Sequence, residues 1–164
     1  MRFLGFAVVT GAAILLGACG GAKEGTADTA AAGATAAAAA PAAPAAGAMA
    51  PITGTTHTIN MVGDGQGYRF EPADLTIAAG DGVKFVMVSG GPHNVAFDPA
   101  TLSAEAKTAL TANMPEQAGE LSGKMLLNAN EEYTISFAGV PAGAYDYHCT
   151  PHLAMNMKGK ITVK

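Results

Sequence analysis

The chain has 164 residues, 49% of them hydrophobic, and a formal net charge of −4 at neutral pH. That length suits one folded module with extra segments, and the mild acidity argues against a nucleic-acid binder, which needs a basic footprint. The first fifty residues hold two basic and two acidic side chains, so the imbalance lies in residues 51–164, a stretch long enough for one modest core.

Met1-Arg2 opens the chain with positive charge, Phe3 to Leu16 is apolar, and Leu16-Gly17-Ala18-Cys19 follows. A charged start, a short apolar run and a small-residue exit make a secretory signal. The run is shorter than the roughly 20 residues of a membrane span. Leu-Gly-Ala-Cys also resembles the bacterial lipobox, which implies cleavage after residue 18 and lipid on Cys19. Residues 19–50 are Ala-rich, with Pro41 and Pro44. An isolated alanine run that short does not nucleate a stable helix, and the prolines block its continuation. This segment is expected to be a flexible tether, with a root-mean-square span of roughly 30 Å as a coil and a reach of about 95 Å as polyproline. The expected organisation is signal peptide 1–18, tether 19–50 and folded domain 51–164, exported and held at a cell-envelope membrane.

The module reads as strands. Thr56 to Met61 is a weak first strand, and Leu75-Thr76-Ile77 alternates before the turn Gly80-Asp81-Gly82. Val83 to Val88 places Val83, Phe85 and Met87 on one face. Tyr133 to Phe137, Gly143 to His148 and Lys160 to Lys164 supply further strands. Ser103 to Ala112 lacks strand alternation and is expected to form one short helix, ended before Met114-Pro115. Residues 113–124 read as loop. Short strands between Gly- and Pro-containing turns argue for an all-β sandwich or barrel.

The chemistry concentrates in Cys149-Thr150-Pro151-His152-Leu153-Ala154-Met155-Asn156-Met157. A thiolate, an imidazole and a thioether in one loop suit copper, and two His, one Cys and a weak Met make a blue-copper electron-transfer centre. The second histidine is His93, in Gly91-Pro92-His93-Asn94-Val95, where Val95 and Phe97 place it at the start of a strand. Asn94 is positioned to lock the two loops together by hydrogen bonds. Met155 and Met157 are both candidates for the axial thioether, and spacing does not choose between them. Cys19 and Cys149 have different roles, so no disulfide is expected. His148 should face away from Cys149 across its strand. His57, close to the tether, is expected to be exposed.

The Pro92-His93-Asn94 motif and the run from Tyr147 through Cys149-Thr-Pro-His152 to Met157-Lys-Gly-Lys-Ile-Thr-Val resemble the plastocyanin/pseudoazurin group of cupredoxins over roughly residues 54–164. The resemblance implies a Greek-key β-sandwich with one type 1 copper at one end. It assigns the ligands to His93, Cys149, His152 and Met157, the second methionine being axial. The chain departs from the group's pattern at Gly90-Gly91, in an insert around 101–124, and at His148. The expected function is an electron shuttle, monomeric and not an enzyme. Redox proteins would dock on an apolar patch around His152, through which the ring edge emerges. A copper oxidase or nitrite reductase needs more ligands than the chain's four histidines supply. A copper carrier or storage protein of the cell envelope is the alternative reading.

Overall fold

A computed structural model describes residues 48–164. The signal peptide, Cys19 and nearly all of the tether lie outside them. The described chain forms eight strands and one α-helix: β1 Thr56–Asp64, β2 Gly67–Glu71, β3 Asp74–Ile77, β4 Gly82–Met87, β5 Ala96–Phe97, α1 Ala104–Asn113, β6 Glu132–Ser136, β7 Gly143–His148 and β8 Lys158–Val163. One sheet has the order β2-β1-β4-β6 and the other β3-β8-β7-β5. The pairs β1–β4 and β3–β8 are parallel, so the chain crosses between sheets rather than winding as consecutive hairpins.

Alternation along each strand fills the space between the sheets. Ile59 and Met61 from β1, Val83, Phe85 and Met87 from β4, and Tyr133 and Ile135 from β6 face Tyr145 and Tyr147 of β7 and Ile161 and Val163 of β8 in one buried cluster. The Tyr147 ring lies edge-on to Phe70 and Phe85, at centroid distances of 4.7 and 5.5 Å. Its hydroxyl donates to the Ala73 carbonyl at 2.9 Å. The Tyr145 hydroxyl donates back to Pro141 at 2.6 Å, closing a tyrosine corner at the entry to β7.

The expected sandwich with one short helix is present, with three differences of detail. First, β4 ends at Met87 and Val88 is 45% exposed, because beyond Met87 the chain turns toward Ser89-Gly90-Gly91. Second, β2 carries no long apolar run, yet Tyr68 and Phe70 share its inner face, and the Gly65-Gln66 turn before it is a hairpin signal. Third, the insert is an integral part of the second sheet's edge. Ser103 caps α1 by accepting from the Ala106 N–H at 3.2 Å. Residues 121–126 then run antiparallel to 93–97, with Phe97 N–H donating to Leu121 O, Gly123 N–H to Val95 O, and His93 N–H to Leu126 O. His93 therefore lies in an isolated bridge just ahead of β5 rather than within a strand.

The start of β1 is clamped at the opposite end of the strand from Ser89. Asp81 accepts hydrogen bonds from His57 Nε2 at 2.9 Å, Ala78 N–H at 2.9 Å and Thr55 N–H at 2.8 Å. His57, expected to be exposed, is instead half-buried against Asp81, because the carboxylate of Asp81, only 6% exposed, needs hydrogen-bond donors. Ala50 N–H donates to Asn113 Oδ1, which ties the segment before β1 to the end of α1. His57, and then the two backbone N–H groups, hold the Asp81 carboxyl below the usual carboxylate range. A depressed folded-state pKa stabilises the fold above the unfolded value, near about 3.9, and that contribution is lost as pH falls through the folded value. The thermal midpoint of the wild-type chain should therefore fall on acidification below about pH 4. Asp81→Asn should start lower at neutral pH and lose less on acidification, read by calorimetry across pH. Parallel curves for the two proteins would contradict this role for Asp81.

Candidate metal centre

The β7 alternation that buries Tyr145 and Tyr147 continues one step past the strand and buries Cys149 completely. Cys149 is thus delivered to the end of the core by register alone. Its N–H donates to the Met157 carbonyl at 3.1 Å, and the Met157 N–H donates to the His152 carbonyl at 3.2 Å, so the ligand loop closes on itself. Leu153–Met155 makes one 3-10 turn, and Asn156 ends it with φ 61°. Asparagine tolerates that left-handed conformation better than most residues.

Three donor atoms converge. Cys149 Sγ lies 3.6 Å from His93 Nδ1 and 3.4 Å from His152 Nδ1, and the two Nδ1 atoms are 3.1 Å apart. All three residues are buried. His93 Nε2 is 2.8 Å from the Ser89 carbonyl. A carbonyl only accepts, so Nε2 carries the proton and Nδ1 turns a free lone pair toward Cys149. Burial lowers the pKa of His93, and burial with the neighbouring His93 lowers that of His152, so both rings favour the neutral form that ligates metal. Burial raises the Cys149 thiol, while backbone N–H groups of Asn94 and His152 pull it down. A buried thiol beside two imidazole nitrogens is a donor set that suits a soft or borderline cation, and copper fits it.

Asn94 ties the loops as its position suggested. Its Oδ1 accepts from Thr150 N–H at 2.7 Å, and its Nδ2 donates to Ser122 Oγ at 3.0 Å and Thr150 Oγ1 at 3.2 Å. The Ser122 contact brings the 101–124 insert into the support of the site. Of the two axial candidates, Met157 is fully buried and Met155 is 52% exposed. His148 is half-buried and pairs with Ala96 across the β5–β7 ladder, so it stands outside the cluster.

His152 differs from expectation. Its ring edge does not emerge freely: the residue is 6% exposed. The ring of Tyr68 lies over it, with centroids 3.7 Å apart and planes 13° from parallel. No ligand-spacing rule points to Tyr68. Its one sequence signal is the alternation with Phe70 after the Gly65-Gln66 turn.

The fold and donor set define a copper protein of the cupredoxin class, and the comparisons with known proteins agree. The chain belongs to the family of copper binding proteins of the plastocyanin/azurin type, matched over residues 57–164. It is 36% identical over 107 residues to the chloroplastic plastocyanin of Physcomitrium patens, covering 65% of this chain and 56% of that one. It is 37% identical over 115 residues to plastocyanin of Prochlorothrix hollandica, covering 70% of this chain and 78% of that one. The structure of the oxidised form of plastocyanin from Dryopteris crassirhizoma superposes with a TM-score of 0.53 and 32% identity, covering 66% of this chain and all of that one. The chain thus spans little more than half the length of the moss relative. It is a plastocyanin-like cupredoxin, a member of a family of copper-binding electron carriers rather than enzymes.

Proposed function

We propose that this chain carries single electrons between redox proteins, with one copper ion held by His93, Cys149, His152 and Met157. The observation that supports this most strongly is the convergence of Cys149 Sγ and two buried Nδ1 atoms within 4.8 Å of one another. Copper supplies a Cu(II)/Cu(I) couple when bound, and the thiolate gives it a covalent path to the protein. The chain's own part is to keep the donors in place. Ser89 orients His93, Asn94 fastens the two loops, and the closed 149–157 loop leaves little room for rearrangement between oxidation states. Stepwise Cu(II) addition to the full chain tests the reading. It should produce an intense blue or green band saturating at one equivalent, followed by a reversible one-electron titration. A site that surrenders copper readily to a competing chelator and shows no reversible couple would instead be a carrier.

Partners are proposed to dock on the apolar surface of the ligand loop, where Leu153 is 42% and Met155 52% exposed, with Pro151 and Ala154 beside them. Leu153→Asp should slow electron transfer to a physiological partner by about tenfold, the effect of roughly 1.4 kcal/mol at the docking step, while the copper spectrum stays unchanged. Stopped-flow rates with the partner and with a small inorganic reagent separate docking from chemistry. Equal slowing with both would place the effect at the copper instead.

The sequence supports export, with 1–18 as signal peptide, Cys19 lipidated, 19–50 as tether and 51–164 as the copper domain, acting as a monomer at the cell envelope. Among the described residues no helix is long and apolar enough to cross a membrane.

A further inference from the structure

We propose that Tyr68 is a positioning residue of the metal centre, holding the His152 imidazole in its plane and keeping water off its outer face. The inference rests on the copper reading above. Tyr68 touches both histidines: it stacks on His152 at 3.7 Å and 13°, and meets His93 edge-on at 6.1 Å and 69°. The two histidine rings are themselves edge-to-face at 4.8 Å, so the three rings form one packed group. The stack accounts for how little of His152 reaches solvent, although its neighbours Pro151 and Leu153 are exposed.

The backbone is arranged to seat this ring. A Cβ at Gly63 would lie 2.7 Å from Tyr68 Cε1 and 2.9 Å from Gly90 Cα, so any larger residue there displaces the ring or the Gly90 turn. Gly90 itself has φ +75°, a conformation that favours glycine. Gly63 N–H donates to the Ser89 carbonyl at 2.9 Å, and Ser89 Oγ donates to the Gly63 carbonyl at 3.0 Å. The same Ser89 carbonyl accepts from His93 Nε2. One short stretch of backbone therefore seats Tyr68 and orients His93.

The hairpin that presents Tyr68 is also fastened on its outer side. Arg69 donates to both carboxylate oxygens of Asp64 at 2.9 Å and to Glu71 at 2.6 Å. That fork spans the turn between β1 and β2 and fixes the register in which Tyr68 faces inward.

The physical consequence is a tuned site. Water solvates the additional positive charge of the oxidised centre better than an aromatic face does. Removing the ring should therefore favour the oxidised state and lower the reduction potential. It should also free the imidazole to rotate. Tyr68→Phe keeps the stack and should behave as wild type, whereas Tyr68→Ala opens it.

Two measurements decide the matter. In the metal-free full chain, the His152 ring protons should be shifted upfield by the ring current of Tyr68, with the shift kept in Tyr68→Phe and lost in Tyr68→Ala. In the copper-loaded chain, Tyr68→Ala should raise the Cu(II)/Cu(I) affinity ratio about tenfold, equivalent to about 59 mV for one electron. Tyr68→Phe should restore the wild-type potential. An unshifted His152 resonance in wild type, an unaltered potential in Tyr68→Ala, or a failure of Tyr68→Phe to rescue would each overturn the proposal. A wild-type chain without a thiolate-to-copper band would overturn the copper reading instead, and the metal-free resonance would still decide whether Tyr68 holds His152.

Discussion

Cys149→Ser should abolish the intense visible band and the narrow copper hyperfine splitting of the Cu(II)-loaded chain while leaving its circular dichroism unchanged. The band needs a thiolate sulfur. The serine oxygen that replaces it is a harder donor and a poor match for a metal whose reduced state prefers sulfur. The substitution is nearly isosteric at a fully buried position, the backbone bonds of residue 149 to Met157 and His152 are untouched, and a serine oxygen can still accept from the nearby N–H groups, so the fold should survive. Copper affinity should fall by more than about 100-fold, beyond the range for losing a supporting hydrogen bond, because a primary donor is removed. Absorption, electron paramagnetic resonance and competition with a chelator of known affinity measure these effects together. A pale spectrum identical in both proteins would mean that Cys149 is not a ligand.

The largest effect on stability is expected at Tyr147. This ring is 1% exposed and packs against Phe70, Phe85 and Phe97 from three directions. Tyr147→Ala deletes the centre of that group and should cost about 3–5 kcal/mol, the range for a large buried aromatic. Against a total stability of about 5–15 kcal/mol, that is a large share. Tyr147→Phe isolates the hydroxyl and should cost about 0.5–1.5 kcal/mol. The low end of that range applies, because the Ala73 carbonyl also accepts from Lys160 N–H at 2.9 Å and is not left without a partner. Urea titrations should show lower midpoints with unchanged slopes. The consequence reaches the site, since Cys149 follows Tyr147 by two residues on the same face. A Tyr147→Ala chain that folds should bind copper with a broadened, heterogeneous signal. A Tyr147→Ala midpoint equal to that of Tyr147→Phe would refute the packing role.

These two residues also mark where the sequence suffices. The alternation Tyr145, Tyr147, Cys149 is visible as a pattern of period two, and that pattern alone states that the thiol points into the core. The loop ligands are close in sequence, so their spacing limits how far apart they fold. Strands β4, β6 and β8 were legible for the same reason: each places apolar side chains on one face at a period of two. The choice of Met157 over Met155 came from family resemblance, and the burial of one against the exposure of the other supports it.

What only the tertiary structure decided is long-range. His57 finds Asp81 across 24 positions, and the insert reaches the ligand loop through Ser122 and Asn94, 28 residues apart. Tyr68 meets His152 across the gap between the two sheets, from a strand whose short sequence carries no metal-binding signal. Such contacts depend on the order and stagger of strands. Local periodicity encodes which face of a strand is buried, but it does not encode which distant side chain stands opposite.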